Sequence, residues 1–291
     1  MPATLILADH TGRLGNKLIL FSHVIAAAEE YGCRVVNLSI LPAAHYFEGL
    51  HLNPLGSYPQ RFFPIDLRWL VRAFRKPIQE WVRGRRGKPT IRNRWLTVLD
   101  MENKPVYHLD SPEFAELVRS TRYIVLWGYP YRCPALVRKH QEKIRGFFQV
   151  RKSTGPWAKR ALQRSEECGK AKLVIHIRQG DFKDPQHQQL FVPPEVFAEA
   201  ARFHFSRSSQ PTTVWVCSDE FVTPALFPEG ACAEIPRALG DDLVLMQGAD
   251  ILVGFESTLS LVMAFTGSGQ RLRICPEAKQ FIQDERSIAE A

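Results

Sequence analysis

Residues 173–182 read LVIHIRQGDF, an apolar run that ends in His176, Arg178, Gly180 and Asp181. A continuous apolar run followed by glycine is typical of a buried parallel strand that ends at a turn. Ligands of open α/β sheets bind just beyond the carboxyl ends of such strands. His176 and Arg178 would point to the same side of a strand, and the planar fork of Arg178 suits phosphate. An Arg178–Asp181 ion pair that merely caps a core strand is an equally good interpretation.

Apolar runs and helical periodicity alternate along the whole chain. This alternation is typical of the α/β class with parallel sheets. A break at residues 153–156 predicts two domains, an N-terminal one over 1–155 and a C-terminal one over 156–291. The tail after residue 275 is expected to be helical. Further strands are expected near residues 4–8, 34–38, 122–128, 212–217, 249–255 and 271–275.

The composition is that of an ordinary globular protein, with 45% hydrophobic and 23% charged residues in a chain of 291. The six cysteines are scattered without a Cys-x-x-Cys pair, which argues against a structural zinc site or a disulfide framework. No apolar stretch has the length of a membrane span, and the N-terminus lacks the basic start of a signal peptide. We therefore expect a cytoplasmic protein, with peripheral contact to the inner membrane left open.

The positive charge of the chain is concentrated in one basic segment. Residues 61–94 contain eleven Lys or Arg and two Asp or Glu, a net charge of +9, whereas the whole chain carries +8. Trp69, Trp81 and Trp95 are interleaved in this insertion at about 61–96. A basic amphipathic helix with tryptophans favours a membrane surface or an anionic acceptor, and a core-packed helix with a solvated basic face is the structural alternative. Nucleic acid is not expected as a partner, because no nucleic-acid-binding motif accompanies the charge.

Two further stretches have the form of anion sites at helix N-termini. Residues 12–16 read GRLGN and lie between a predicted strand and a predicted helix, where backbone N–H groups favour an anion. A tight turn is the structural alternative there. Ser257 and Thr258 begin a helix just after the strand at 249–255, and their hydroxyls could form a phosphate cradle or simply cap the helix.

Four motifs occur in order along the chain: GRLGN at 12–16, HIRQGD at 176–181, SDE at 218–220, and the block from Asp242 to Ser260. Together they resemble the motifs of GDP-fucose-dependent fucosyltransferases. The nearest grouping is the family that contains bacterial α-1,2-fucosyltransferases, with kinship to α-1,6 and protein O-fucosyltransferases. The resemblance implies a GT-B architecture, in which two Rossmann-like domains face each other across a cleft and the C-terminal domain binds the nucleotide sugar.

The resemblance also implies a donor site. Arg178 and His176 would hold the GDP moiety, with Arg178 on the β-phosphate. Ser257 and Thr258 would add phosphate contacts from the helix N-terminus, and Asp242 would accept a hydrogen bond from the guanine edge.

The implied reaction is an inverting transfer of fucose from GDP-fucose to a glycan hydroxyl. Negative charge builds on the departing diphosphate, and fixed donors such as Arg178 stabilise it where other enzymes use a metal. No metal site and no cofactor besides the donor substrate are expected. Gly15 and Asn16 would approach the diphosphate or the sugar from the N-terminal domain. Asp181 and Glu220 are candidates for the general base by position.

Three positions depart from the family pattern and leave alternatives open. Lys17, Glu256 and Leu259 stand where Gln, Asn and an aromatic residue are usual. The same fold could therefore use another nucleotide sugar, or it could be a non-catalytic protein that binds glycans or anionic surfaces. The acceptor glycan is not specified by the sequence, and a lipid-linked glycan is one option, with membrane contact through residues 61–94.

Overall fold

The computed structural model describes two compact units. The N-terminal unit comprises Met1–Arg151 together with Ile288–Ala291, and the C-terminal unit comprises Lys152–Ser287. The division lies slightly before the expected boundary after residue 155, and the last four residues belong to the N-terminal unit. No helix among the described residues is long and apolar enough to cross a membrane. The described residues are 2–8, 12–53, 55–60, 77, 80, 84, 93–184, 187–208, 210–227, 231–232 and 238–291. The basic segment thus lies almost entirely outside them.

The N-terminal unit is built on a four-stranded parallel sheet of order β2-β1-β5-β3. A small parallel pair, β4 and β6, lies beside it. The strands are β1 (Thr4–Leu7), β2 (Arg34–Asn37), β3 (Leu96–Asp100), β4 (Tyr107–His108), β5 (Tyr123–Trp127) and β6 (Tyr131–Arg132). The helices are α1 (Leu14–Tyr31), α2 (Pro112–Ser120), α3 (Pro134–Lys139) and α4 (Gln141–Phe147), with 3₁₀ turns at Leu41–Tyr46 and Glu48–Leu50.

The C-terminal unit contains a six-stranded sheet of order β12-β11-β10-β7-β8-β9, parallel except for β11 and β12. Its strands are β7 (Ala171–Ile177), β8 (Thr212–Ser218), β9 (Ala231–Cys232), β10 (Ile251–Gly254), β11 (Gln270–Cys275) and β12 (Gln280–Gln283). Its helices are α5 (Pro156–Glu167), α6 (Pro194–Arg207), α7 (Leu239–Gln247) and α8 (Thr258–Thr266), with 3₁₀ turns at Gly180–Lys183, Gln188–Leu190 and Pro224–Leu226. The predicted α/β class with parallel sheets is confirmed.

The apolar run that predicted a buried strand forms β7, which has neighbours on both sides. Leu173, Ile175 and Ile177 lie in one core cluster with Phe197 of α6 and Val253 of β10. The intervening residues of a strand point to the other face. Because both faces of β7 are covered, the strand is a continuous apolar run rather than an alternation of apolar and polar residues.

The tail is not helical, contrary to the prediction. Residues 280–283 form β12, which pairs antiparallel with β11 and places Leu272 opposite Gln283. Phe281 packs against the core cluster of this unit. The strand therefore covers the open edge of β11 and adds an apolar side chain to the core, which outweighs any local helical preference of the tail.

The packing of α5 on α7 depends on Gly155, and this gives a first prediction. Gly155 has a φ of +56°, and a Cβ there would lie 2.8 Å from the Gly240 carbonyl oxygen and 2.9 Å from a methyl of Val244. Gly155→Ala should lose about 1–2 kcal/mol to the left-handed backbone and about 1–3 kcal/mol more to the overlap. Gly169 is the matched control, since its φ is +62° and nothing lies within 4 Å of its Cβ position. Urea unfolding should show the larger loss for Gly155→Ala, and equal losses would contradict the packing argument.

Candidate functional site

The site lies at the carboxyl ends of three adjacent strands of the C-terminal unit. In the register of the sheet, Ile175 of β7 is level with Val253 of β10 and Val216 of β8, so the three strands end side by side. These strand ends and the segments that follow them carry most of the residues predicted for the donor site and for catalysis. They are His176, Arg178, Asp181, Glu220, Ser257 and Thr258.

Arg178 is held from two directions. Its Nε donates to Asp181 Oδ1 at 2.9 Å, and its Nη2 donates to the other carboxylate oxygen. The guanidinium carbon lies 4.6 Å from the centre of the Phe182 ring, and only 14% of the Arg178 side chain is exposed. The ion pair considered as a structural alternative is therefore present. It engages two guanidinium nitrogens, fixes the plane of the group and leaves Nη1 outside the pair.

Asp219 is a residue of this edge that the sequence analysis did not single out for the site. Its Oδ1 accepts hydrogen bonds from the backbone N–H of Gln179 at 2.8 Å and of Gly180 at 3.3 Å. The carboxylate thereby fixes the turn that carries Arg178. The sequence showed only that Asp219 directly follows a predicted strand, because the pairing of that strand with β7 is seen in the structure alone.

His176 is buried and uncharged at neutral pH. Burial lowers the pKa of His176 to about 4, with nearby Arg178 and Arg271 acting in the same direction and Asp219 opposing them. Its Nδ1 has no hydrogen-bond partner among the described residues, and the same holds for the side-chain nitrogen of Gln179. Two polar groups are therefore buried at the end of β7 without a protein partner in the described chain.

Ser257 occupies the N-cap position of α8 but does not cap the helix with its side chain. Its Oγ is buried and has no partner among the residues that the structure describes. Its backbone oxygen accepts hydrogen bonds from the Ser260 hydroxyl at 3.0 Å and from the Leu261 N–H at 3.2 Å. Helix capping, the structural alternative for this hydroxyl, is not what the side chain does here. Thr258 follows as the first residue of α8 and is half-buried.

A charged network supports the segment before Ser257. Glu256 has a φ of +46° and accepts a hydrogen bond from Arg286. Arg286 also donates to both oxygens of Asp284, at 3.0 and 2.8 Å, and Asp284 forms an ion pair with the buried Arg271 at 2.9 Å. The chain after β12 is thus tied to the start of α8. Glu256 is one of the three departures from the family pattern, and neither its partner nor the network is evident from the sequence.

The two buried charges of this network respond differently to their surroundings. Burial alone would raise the pKa of Asp284, but hydrogen bonds from Arg286 and the charge of Arg271 outweigh it and hold that pKa below its ordinary value. Burial lowers the pKa of Arg271 to about 10, although Asp284 opposes this shift. Asp284 has two cationic partners, Arg271 and Arg286. Arg271 is close enough to Asp284 for an ion pair, but its side-chain nitrogens make no hydrogen bond within the described part of the chain.

The remaining predicted residues of the C-terminal unit are less directly constrained. Asp242 is half-buried in the first turn of α7, next to Asp241, which accepts a hydrogen bond from the Ala158 N–H at 3.1 Å. Asp241 therefore helps to anchor the start of α5. Glu220 forms an ion pair with Lys183, and both side chains are partly exposed. A role for Asp242 at guanine, or for Glu220 as a base, stays a prediction.

The glycine-rich loop of the N-terminal unit leads from β1 into α1. Gly12 has a φ of +78°, and a Cβ there would lie 2.7 Å from the amide nitrogen of Asn16. The loop thus needs glycine both for its backbone and for the close approach of Asn16. Gly15 is buried, Asn16 is half-buried, and no side chain caps the start of α1. These features suit an anion at the helix N-terminus.

A separate cavity of about 390 Å³ lies elsewhere in the C-terminal unit, near the amino ends of β7 and β8. None of the residues predicted for the donor site lines it. We assign no role to it. Its lining residues are Trp157, Arg160, Ala161, Arg164, Ser165, Cys168, Lys170, Thr213 and Trp215.

The comparisons with known proteins identify similar folds. No protein-family model matches the chain, and no curated protein matches it in sequence. Among solved structures, a mutant of FUT1 from Arabidopsis thaliana in complex with GDP is similar over 96% of this chain and 72% of that one, with 12% identity and a TM-score of 0.52. The fucosyltransferase NodZ from Bradyrhizobium is similar over 94% of this chain and 96% of that one, with 14% identity and a TM-score of 0.50.

At these identities the likeness establishes the fold and nothing finer. The expected GT-B-like fold class is therefore confirmed, because both similar structures extend over nearly the whole chain. Sequence motifs alone had led to the same group of folds.

Proposed function

We propose that this chain is a glycosyltransferase that moves fucose from GDP-fucose to a glycan hydroxyl. One observation carries the proposal: Arg178 is fixed at the carboxyl edge of the sheet. The same edge carries His176, Gln179 and Ser257, whose buried polar atoms have no partner among the described residues. Buried polar groups of folded proteins are nearly always hydrogen-bonded, so such atoms at a strand edge suit a polar ligand. The similar folds include a structure in complex with GDP and a fucosyltransferase.

The proposed donor contacts follow from the chemistry of these groups. Arg178 would bind the β-phosphate with the guanidinium edge that Asp181 leaves open. Ser257 and Thr258 would bind phosphate oxygens at the start of α8, where the helix dipole favours negative charge. Neutral His176 would add a hydrogen bond without a charge, and Asp242 would accept from guanine.

Fucosyl transfer requires that the departing diphosphate be stabilised. As the glycosidic bond of the donor breaks, charge develops on the β-phosphate, and a donor already in place stabilises the transition state more than the ground state. Asp181 and Phe182 hold Arg178 in position before any ligand arrives. We propose on this basis an inverting reaction in which Arg178 takes the part that a metal plays elsewhere, with no cofactor besides the donor.

The proposal also covers the general base and the acceptor glycan. Because both oxygens of Asp181 are engaged by Arg178, we propose that Asp181 positions Arg178, and Glu220 is then the remaining candidate for the base. Gly15 and Asn16 of the N-terminal unit would contribute to the diphosphate or sugar subsite. A cell-surface or lipid-linked glycan is the proposed acceptor, and the bacterial α-1,2-fucosyltransferase family is the proposed grouping. The proposed location is the cytoplasm, with peripheral contact to the inner membrane through the basic segment 61–94.

A nucleotide panel tests the donor site directly. We expect GDP to raise the melting temperature of the protein, UDP, ADP and CDP to raise it little, and EDTA to leave the GDP effect unchanged. A ligand at about 100 times its dissociation constant stabilises by about 2.7 kcal/mol, which a thermal-shift assay resolves. In Arg178→Ala the GDP effect should disappear.

Arg207→Ala is the matched control for this panel. Arg207 lies in the same unit and stacks on Phe203 at 5.4 Å, much as Arg178 stacks on Phe182, but outside the site. Its GDP response should equal that of the native protein. Stabilisation by another nucleotide instead of GDP would favour a different sugar donor, and no response to any nucleotide would favour a non-catalytic binding protein.

A further inference from the structure

The N-terminal unit exposes two aromatic side chains at the amino ends of β3 and β5, two neighbouring strands of its sheet. Trp95 directly precedes β3, Tyr123 begins β5, and the Tyr123 N–H donates to the Trp95 carbonyl at 3.0 Å. Trp95 is 54% exposed and Tyr123 is 39% exposed. Large aromatic side chains normally bury most of their surface, so two adjacent exposed rings indicate a binding surface for a ligand or a partner.

Arginines surround these rings. The guanidinium carbons of Arg94 and Arg122 lie 5.3 and 5.7 Å from the centre of the Trp95 ring, and that of Arg122 lies 5.5 Å from the Tyr123 ring. We call these four residues the Trp95 surface. Cation–π contacts keep the charged groups beside the apolar ring faces instead of dispersing them in solvent. The result is an amphipathic patch with aromatic and cationic groups side by side.

Arg34 adds a further positive charge at this end of the sheet, and the sequence that precedes Trp95 is basic. The register of the sheet places Arg34 at the same edge, level with Thr4 and Tyr123, and Arg34 is exposed. Residues 83–94, which lead directly into Trp95, contain six Lys or Arg and no Asp or Glu. The cations therefore outnumber any acidic group supplied by the adjoining sequence.

Together these features suit an anionic bilayer surface. Indole and phenol rings prefer the headgroup level of a membrane, where one end of the ring is apolar and the other is wet. Lys and Arg next to them attract acidic headgroups. A sulphated polysaccharide would satisfy the cations but would offer no apolar layer to the exposed rings, and no nucleic-acid-binding motif accompanies the charge.

We infer that the Trp95 surface docks the N-terminal unit on anionic lipid headgroups. Docking at this surface is independent of the donor site proposed for the C-terminal unit. Docking here would hold the protein at a membrane surface, where lipid-linked acceptors are found. Failure of docking would leave the GDP response of the protein unaffected, so the two proposals can be judged separately.

Vesicle co-sedimentation of the full chain tests the inference. We expect binding to vesicles of phosphatidylcholine and phosphatidylglycerol in equal parts, and little binding to phosphatidylcholine alone. Trp95→Ala should weaken the binding about fivefold or more, because it removes the inserted ring. Arg94→Gln should weaken it about fivefold, since each basic residue near such a surface contributes about 1 kcal/mol. Both residues are exposed, so both variants should melt like the native protein.

Phe203→Ala is the matched control, because Phe203 is also 39% exposed and lies under an arginine, but in the C-terminal unit. It should bind vesicles like the native protein. Three results would overturn the inference. They are no binding to the acidic vesicles, binding that survives Trp95→Ala undiminished, and retention on immobilised heparin that drops as much in Trp95→Ala as vesicle binding does.

Discussion

Replacing Arg178 by alanine is expected to lower GDP-fucose turnover by about two to three orders of magnitude, the usual effect of removing one preorganised donor to a developing negative charge. The affinity for GDP should fall as well, because in the proposed donor complex the same guanidinium would contact the diphosphate before the reaction. Release of GDP with water as acceptor measures this loss even before the natural acceptor is known. Arg178→Lys should recover only part of the rate, since an ammonium keeps the charge but cannot make the paired contacts of the planar fork.

The comparison variants separate a catalytic role from a structural one. Arg207→Ala should turn over GDP-fucose at the native rate, because its stacked guanidinium lies outside the site. Asp181→Asn should retain GDP binding while losing part of the turnover, because it loosens Arg178 without removing it. If Arg178→Ala instead kept native turnover and only lowered the melting temperature, the ion pair would be a strand cap and nothing more.

Much of this edge was predictable from the sequence, for a physical reason. A strand covered on both faces must be a continuous apolar run, so β7 was recognisable, and the polar residues after it had to lie at a sheet edge. The ends of β8 and β10 were predictable in the same way, because each is an apolar run followed by polar residues. The order of the strands in the sheet did not follow from these patterns, yet the register that aligns Ile175 with Val253 and Val216 is what brings the predicted residues together.

Other features could not be predicted because they depend on contacts distant in the chain. Asp219 was recognised as part of a motif but not as the acceptor for the Gln179 and Gly180 N–H groups, since that role requires β8 to pair with β7. The tail was predicted to be helical. Its strand conformation could not be read from its own residues, because it depends on pairing with the open edge of β11. The link from Asp284 through Arg286 to Glu256 joins segments about thirty residues apart, and no local pattern encodes it.

Removing the carboxylate of Asp284 is expected to cost about 3–5 kcal/mol of stability, the usual effect of leaving one partner of a buried ion pair uncompensated. Only 1% of the Asp284 side chain and 7% of the Arg271 side chain are exposed, so water cannot replace the lost partner. Urea unfolding of Asp284→Ala, followed by a signal of the C-terminal unit, measures the loss. Asp250→Asn is the matched control, because its pair with Lys172 is half-exposed and should be worth at most about 1 kcal/mol.

A second substitution distinguishes loss of charge balance from loss of shape. Adding Arg271→Met to Asp284→Ala should restore much of the stability, because the uncompensated charge is then gone and an apolar side chain fills its place.

The pH dependence of the stability contributed by Asp284 has a definite sign. Since the pKa of Asp284 is held below its ordinary value of 3.8, its contribution is complete above that pH and is lost as the pH falls through the lower value of the folded protein. Native protein and Asp284→Asn should therefore differ in stability by a constant amount near neutral pH and converge only in strong acid. A difference that vanished between pH 5 and 7 would mean that Asp284 is not ionised in the folded protein, and its ion pairs with Arg271 and Arg286 would then be absent.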